Sequence, residues 1–320
     1  MDLSHRQGED LVELGRVIRA RVLQFTGIPV SIGIAPTKVL AKIAAEIVKK
    51  DPAYAGVLDL HRLTGQDIDP YLEAIEVGDV WGIGRKYALF LSNYGIDTAR
   101  DLKYCDAQWA RRHLTVVGER IVLELRGISC MPLEVEAKSK QGIMCSKTFG
   151  REVTEYEQMM EVVANYTARA AEKLRSQETL ASSLSVFVQT SRFNQQEEHY
   201  SNSFALRIPY PTAYTPDLVV YALQCLKAIY RPGHRYKKAG VFLSKIVPEE
   251  SVQPDLFGEF SLSRHYQQVR LMYIVDAINR VYGRDTLFFA VQGVVRPWRM
   301  RQSQLSGRYT TQWSEILRAK

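Results

Sequence analysis

Apolar residues return every three to four positions over residues 11–25 (LVELGRVIRARVLQF), which sets Leu11, Leu14, Val17, Ile18, Val22 and Leu23 on one face. That period predicts an amphipathic helix. Residues 29–34 (PVSIGI) are short and β-rich, and Pro36-Thr37 then opens a second helix over 38–49 that stops at Asp51-Pro52. Helix, strand, helix reads as part of an α/β sheet domain. From about residue 69 to 131 the pattern breaks into short helices divided by glycine turns, as in VWGIGRKYALFLSNYGIDTARDL with Gly82, Gly84 and Gly95. A strand at 143–149, a long helix at 156–175 and strands at 184–190 and 203–208 come next. A helix at 218–230 and a strand at 238–244 complete a βαββαβ order, a compact sheet with two helices on one face. Residues 246–258 read as a linker containing proline and acidic residues. The tail offers a helix at 266–281, an apolar strand at 286–295 and a basic end. The fold class is therefore α+β and multidomain, with regions at 1–65, 66–135, 140–247 and 248–320.

Composition narrows the class. The chain has 320 residues, 46% of them hydrophobic and 24% charged, as in a soluble globular protein. Its formal charge of +7 favours an anionic partner such as nucleic acid. Cys105, Cys130, Cys145 and Cys225 are scattered, which argues against a disulfide framework and a zinc site. The six histidines have no metal-ligand spacing, and no nucleophile elbow marks a hydrolase. With no membrane-length apolar run and no signal peptide, a cytoplasmic location is expected, without membrane partners.

Four stretches carry candidate chemistry. In SIGIAPTKVLAKIAAEIVKK a helix N-terminus capped by Thr37 is followed by Lys38, Lys42, Lys49 and Lys50. Free amides, a positive dipole end and lysines suit a phosphate, and a solvated lysine face is the alternative. Trp81-Gly82-Ile83-Gly84-Arg85 looks like a helix-hairpin-helix turn whose amides, with Arg85 and Lys86, would hold a backbone phosphate. A plain glycine-rich turn between two helices is equally compatible. Residues 218–248 contain no acidic residue against Lys227, Arg231, Arg235, Lys237, Lys238 and Lys245. Strand alternation would point Arg235 and Lys237 one way and Tyr236 and Lys238 the other, giving either a duplex-binding edge or a solvated face. Gln253-Pro254-Asp255-Leu256-Phe257 offers an amide and two apolar anchors, fit for a partner's pocket or for packing back on its own domain. The basic tail, with Arg296, Arg299, Arg301, Arg308, Arg318 and Lys320 against Glu315 and with Trp298 and Trp313 interleaved, is a further DNA-facing or partner surface.

These stretches, together with ERIVLELRGISC, CSKTFGREVT, ARAAEKLRS, GHRYKKAGV and LSGRYTTQWSEILR, resemble in order the UmuC branch of the Y-family translesion DNA polymerases. The resemblance implies a partial palm at 1–65, a thumb at 66–135 and a DNA-binding little finger at 140–247. A clamp-binding linker and a UmuC-type C-terminal region follow at 248–320. It implies triphosphate contacts through Lys42 and Lys49, and DNA contacts through Gly82, Gly84, Arg85, Lys147, Arg151, Arg235 and Lys237. Docking on the β sliding clamp would use Gln253, Leu256 and Phe257. Primer–template or damaged DNA is the expected partner, with UmuD′ and RecA as further partners of the family. Y-family catalysis uses two metal ions, Mg²⁺ in the intact family, held by an N-terminal aspartate and by an Asp-Glu pair in a Ser-Ile-Asp-Glu strand. Met1-Asp2-Leu3-Ser4 matches the segment just after that pair. The first palm half, the fingers and the metal carboxylates are thus expected to lie outside the chain. Glu9-Asp10 sits at a helix start and is not a substitute. Binding of DNA and clamp without its own nucleotidyl transfer is the expectation. Two rivals stand beside it. One is an active polymerase completed by another chain or by an upstream reading frame. The other, a helix-hairpin-helix glycosylase or nuclease, leaves the βαββαβ region unexplained.

Overall fold

The computed structural model describes residues 1–6, 8–134, 139–193, 199–251, 261–300, 304–309 and 311–316. The chain divides into two compact units, residues 1–136 with 305–320, and residues 137–304. Residues 248–304 fall in the second unit and residues 305–320 in the first.

In the first unit helix α1 (Leu11–Thr26) starts at Asp10, whose carboxylate accepts from the Val12 and Glu13 amides. It stops at Gly27 in the left-handed region. Strand β1 (Ile32–Ile34) leads into helix α2 (Lys38–Lys50), and strand β2 (Val57–Asp59) returns parallel to β1 in the register Ile32–Val57, Gly33–Leu58 and Ile34–Asp59. Strand β2 carries no clear period of its own, since three residues are too few to show one. The predicted apolar face of α1 is only partly used. Leu11 and Gly15 are buried, while Val17, Leu23 and Phe25 are exposed. Helix α2, in contrast, buries Val39, Leu40, Ile43, Ala44 and Val48.

Four further helices complete this unit: α3 (Asp69–Glu73), α4 (Arg85–Ser92), α5 (Ala99–Tyr104) and α6 (Ala107–Leu125). Helix α6 breaks at Thr115, where φ is 69°. One continuous apolar core runs from α2 through Leu72, Leu91 and Leu102 to Ile121 and Leu125. The first two regions read from the sequence thus share a core.

The second unit contains the expected βαββαβ order: β3 (Ile143–Val153), α7 (Tyr156–Arg175), β4 (Thr179–Thr190), β5 (Ser201–Thr212), α8 (Thr215–Ile229) and β6 (Tyr236–Pro248). The sheet is antiparallel in the order β3-β6-β4-β5. Leu184, Val186 and Val188 on β4 alternate with half-buried neighbours. They meet Ala239, Val241 and Leu243 of β6 beneath α7 and α8. Alternation of this kind is what a sheet with one covered face requires.

Helix α9 (Leu262–Tyr282) lies against this unit through Arg175, whose guanidinium meets the Asp276 carboxylate at 2.6 and 2.9 Å. The strand expected at 286–295 is not formed. Asn279 closes that segment locally, accepting from the Leu287 amide and donating to the Leu287 carbonyl, both at 2.9 Å, and a 3₁₀ turn covers Ala290–Gln292. The Thr286, Leu287, Phe289, Gln292 and Gly293 amides find local partners without a sheet edge, so apolar content alone did not make a strand. Trp298 is buried edge-on against Tyr166. No helix among the described residues is long and apolar enough to cross a membrane.

Candidate nucleic-acid interface

The N-terminus of α2, read as a phosphate cradle, already holds an anion. Glu124 of α6 is fully buried and accepts from the Val39 amide at 3.2 Å, and from the Cys130 and Met131 amides at 2.8 and 3.0 Å. Thr37 caps the helix through the Leu40 amide and donates its hydroxyl to the Glu124 carbonyl at 2.9 Å. This corrects the cradle reading at two amides: Val39 serves an internal carboxylate and Leu40 the Thr37 hydroxyl.

The lysines of α2 also divide. Lys38 donates to the Pro132 carbonyl, Lys49 pairs with Glu46 and Lys50 with Asp79. The hydrogen bond to Asp79 holds the Lys50 ammonium above the ordinary lysine range. Lys42 and Lys49, seven residues apart, share an exposed side of the helix roughly 10 Å apart along its axis.

At the hairpin, Gly82 has a φ of 99° and lies so close to Ile121 of α6 that a Cβ there would collide with its Cδ1. Only glycine meets both conditions. Gly84 precedes α4 with open space around it and no side chain capping the helix, so the first α4 amides face outward beside exposed Arg85 and Lys86. The sequence-predicted hairpin residues are therefore brought together.

The second unit shows a surface that the sequence reading missed. The sheet face turned away from α7 and α8 is built in rows by the strand register. Thr148, Lys238, Gln189 and Ser201 form one row, Ser146, Gly240, Phe187 and Ser203 the next, and then Met144, Phe242, Ser185 and Ala205. Ser244, Ser183 and Arg207 complete it. Small hydroxyls, two cations and no carboxylate occupy these positions. Phe187 lies flat across the row because its neighbour is Gly240, where a Cβ would collide with the Phe187 ring and with Ser146. The Lys238 ammonium sits 5.8 Å from the centre of that ring. The signal was present in SSLSVFVQT, where serine alternates with aliphatic residues at a period of two.

The basic stripe resolves differently from its sequence reading. The register slips between Tyr236 and Lys238, so Tyr236 enters the core and Lys238 reaches the open face. Arg235 is ion-paired with Glu152 of β3 at 2.7 Å, and Lys237 is half-buried. Lys147 lies opposite Ala239, on the helix-covered side of the sheet, and Arg151 is exposed in the irregular stretch between Thr148 and Val153. Sites predicted at Lys147, Arg151, Arg235 and Lys237 thus do not converge with Lys238. Part of the basic tail is ion-paired: Arg169, Arg296 and Arg299 share Asp285, and Arg308 pairs with Glu315. Burial pushes the Asp285 carboxyl up, but Arg169, followed by Arg296 and Arg299, outweighs this and holds it below the ordinary range. Gln253, Leu256 and Phe257 lie outside the described residues, as do Arg301, Arg318 and Lys320.

Among the described residues the acidic groups at the start of α1 and the end of β2 are engaged elsewhere and do not converge on a two-metal centre. Asp10 is occupied as the α1 cap, Glu9 pairs with Arg6, and Asp59 at the end of β2 is bound to the His61 ring at 2.6 Å. Among the described residues no three His, Cys, Asp or Glu side chains are grouped to hold a metal ion.

Comparison with known proteins agrees with this architecture. Residues 1–46 match the impB/mucB/samB family, residues 140–256 its C-terminal domain, and residues 269–319 a domain of unknown function, DUF4113. Protein UmuC of Salmonella typhimurium is 43% identical over 98% of this chain and 74% of its own length. Protein MucB of Escherichia coli is 36% identical over 94% of this chain and 70% of its own. A solved Y-family DNA polymerase chimera, Dbh-Dpo4(243-245)-Dbh, superposes with a TM-score of 0.53 at 21% identity, over 78% of this chain and 68% of that one, a likeness of fold. The chain belongs to the impB/mucB/samB family, the UmuC branch of the Y-family translesion DNA polymerases.

Proposed function

We propose that these 320 residues bind primer–template DNA in translesion synthesis and dock on the sliding clamp, without supplying the metal carboxylates for nucleotidyl transfer themselves. The observation that carries the reading is the carboxylate-free open sheet face, with its serine rows and Lys238 over Phe187. Hydroxyls and a lysine contact phosphate oxygens without reading bases, which suits a polymerase that must accept any template. The hairpin at Gly82 and Gly84 supports a second backbone contact through the α4 amides and Arg85. Lys42 and Lys49 remain the candidates for triphosphate contact, and Gln253, Leu256 and Phe257 for the clamp. UmuD′ and RecA are partners by family resemblance alone.

Fluorescence anisotropy on a primer–template against salt tests the reading. Affinity should fall steeply with salt, and Lys238→Gln and Arg85→Gln should each lower the log–log slope by about 0.9. No affinity at low salt sinks the proposal. Primer extension with Mg²⁺ in the same mixtures should yield no product. A second reading, an active polymerase completed by another polypeptide, draws support from the open apolar side of α1, where Leu23 and Phe25 are 49% and 63% exposed. Extension that appears only when such a polypeptide is added would favour it.

A further inference from the structure

The region matching a domain of unknown function contains most of α9, and that helix has two unlike sides. One side is spoken for: His265 and Met272 are buried, Gln268 reaches Asp217, and Asp276 is clasped by Arg175. The opposite side carries Tyr266, Arg270, Tyr273, Ile274 and Val281, spaced at four, seven, eight and fifteen residues along one face. Tyr266 is 67% exposed and Tyr273 72%. A helix with apolar residues on both sides is normally covered on both.

Charge identifies the covering partner. On this side Arg270 and Arg280 are exposed and make no ion pair among the described residues. The single carboxylate of α9, Asp276, is on the buried side and already neutralised. A second copy is a poor occupant, because a two-fold contact would set arginine against arginine with no acid between them. Two tyrosine rings roughly 10 Å apart along the axis, with Arg270 between them, match a polyanion that also offers free flat faces. Closed duplex hides those faces in its stack.

We propose that the exposed face of α9 binds single-stranded DNA, with Tyr266 and Tyr273 stacking unpaired bases and Arg270 and Arg280 meeting phosphates. This site is separate from the open sheet face assigned to duplex, and its test does not depend on that assignment. The full chain is titrated into a fluorescein-labelled oligothymidylate of about 20 nucleotides, longer than one such site, and in parallel into a blunt duplex. The double variant Tyr266→Ala/Tyr273→Ala should bind the oligothymidylate at least about tenfold more weakly, whereas Tyr266→Phe/Tyr273→Phe should bind like the parent. Arg270→Gln/Arg280→Gln should lower the salt slope by about 1.4. Duplex affinity should stay unchanged in all three, and poly-glutamate should fail to displace the strand. The proposal is overturned if the parent does not bind oligothymidylate, or if the alanine variant binds it like the parent. It is equally overturned if duplex affinity falls in step, or if poly-glutamate competes as well as DNA, which would mark a surface for an acidic protein.

Discussion

Two sheets in this chain solve the problem of a covered face to different degrees. In the second unit β4 pairs with β6 from Thr179–Pro248 to Thr190–Tyr236, and two helices cover one face, so Leu184, Val186, Val241 and Leu243 are inaccessible. In the first unit β1 and β2 pair over three residues each, and α1 covers them only through its first turns, with Leu11 and Gly15 buried and Val12 and Leu14 partly so. That unit gains its cohesion elsewhere, from α2 sharing one apolar core with α3, α4, α5 and α6 and from Glu124, whose carboxylate joins α2 to the 128–131 loop. The difference teaches that the four-stranded unit is closed by its own elements, while the two-stranded one leans on a buried polar tie and leaves an apolar side open.

The largest effect expected is in the closed unit. Leu243→Ala removes a fully buried side chain and should cost about 3–5 kcal/mol of that unit's stability, read by urea unfolding. A loss under about 1 kcal/mol would mean the core is looser than its burial implies. Next is Glu124→Ala, which strands the buried Val39 amide and the half-buried Cys130 and Met131 amides and should cost about 3 kcal/mol in the first unit. Hydrogen exchange should show the α2 amides opening first in that variant, with β4 and β6 unaffected. Unchanged α2 protection would show the tie to be dispensable.

Gly240→Ala should cost about 1–3 kcal/mol and turn Phe187 out of its row. Primer–template affinity is the sharper readout, and it should fall more than for Val220→Ala, an exposed position on α8 away from that face. The Asp285 cluster adds a pH dependence. Its folded-state carboxyl is held below the ordinary range, so its contribution is present above the unfolded value near 4 and is lost as pH falls through the lower folded value. Asp285→Asn should flatten that acid limb, followed by tryptophan fluorescence of Trp298. Smallest of all, Leu23→Ala on the open side of α1 should change stability by less than about 0.5 kcal/mol. A larger loss would mean that this side is covered in solution.

What the sequence by itself determined follows from local physics. The period of 3.6 over 156–175 and the caps at Thr37 and Asp10 fixed helices where they formed, because those signals lie within one element. The βαββαβ order and the hairpin glycines were legible for the same reason, and the ordered family motifs added the lineage. Tertiary structure alone decided the rest. Glu124 took the Val39 amide of α2 from 85 residues away, and Glu152 took Arg235 from across a strand pair. A register slip chose Lys238 over Lys237 for the open face, and Asn279 closed the 286–295 segment that read as a strand. In each case the deciding partner is distant in sequence, and a charge or amide shows its availability only when its neighbours in space are known.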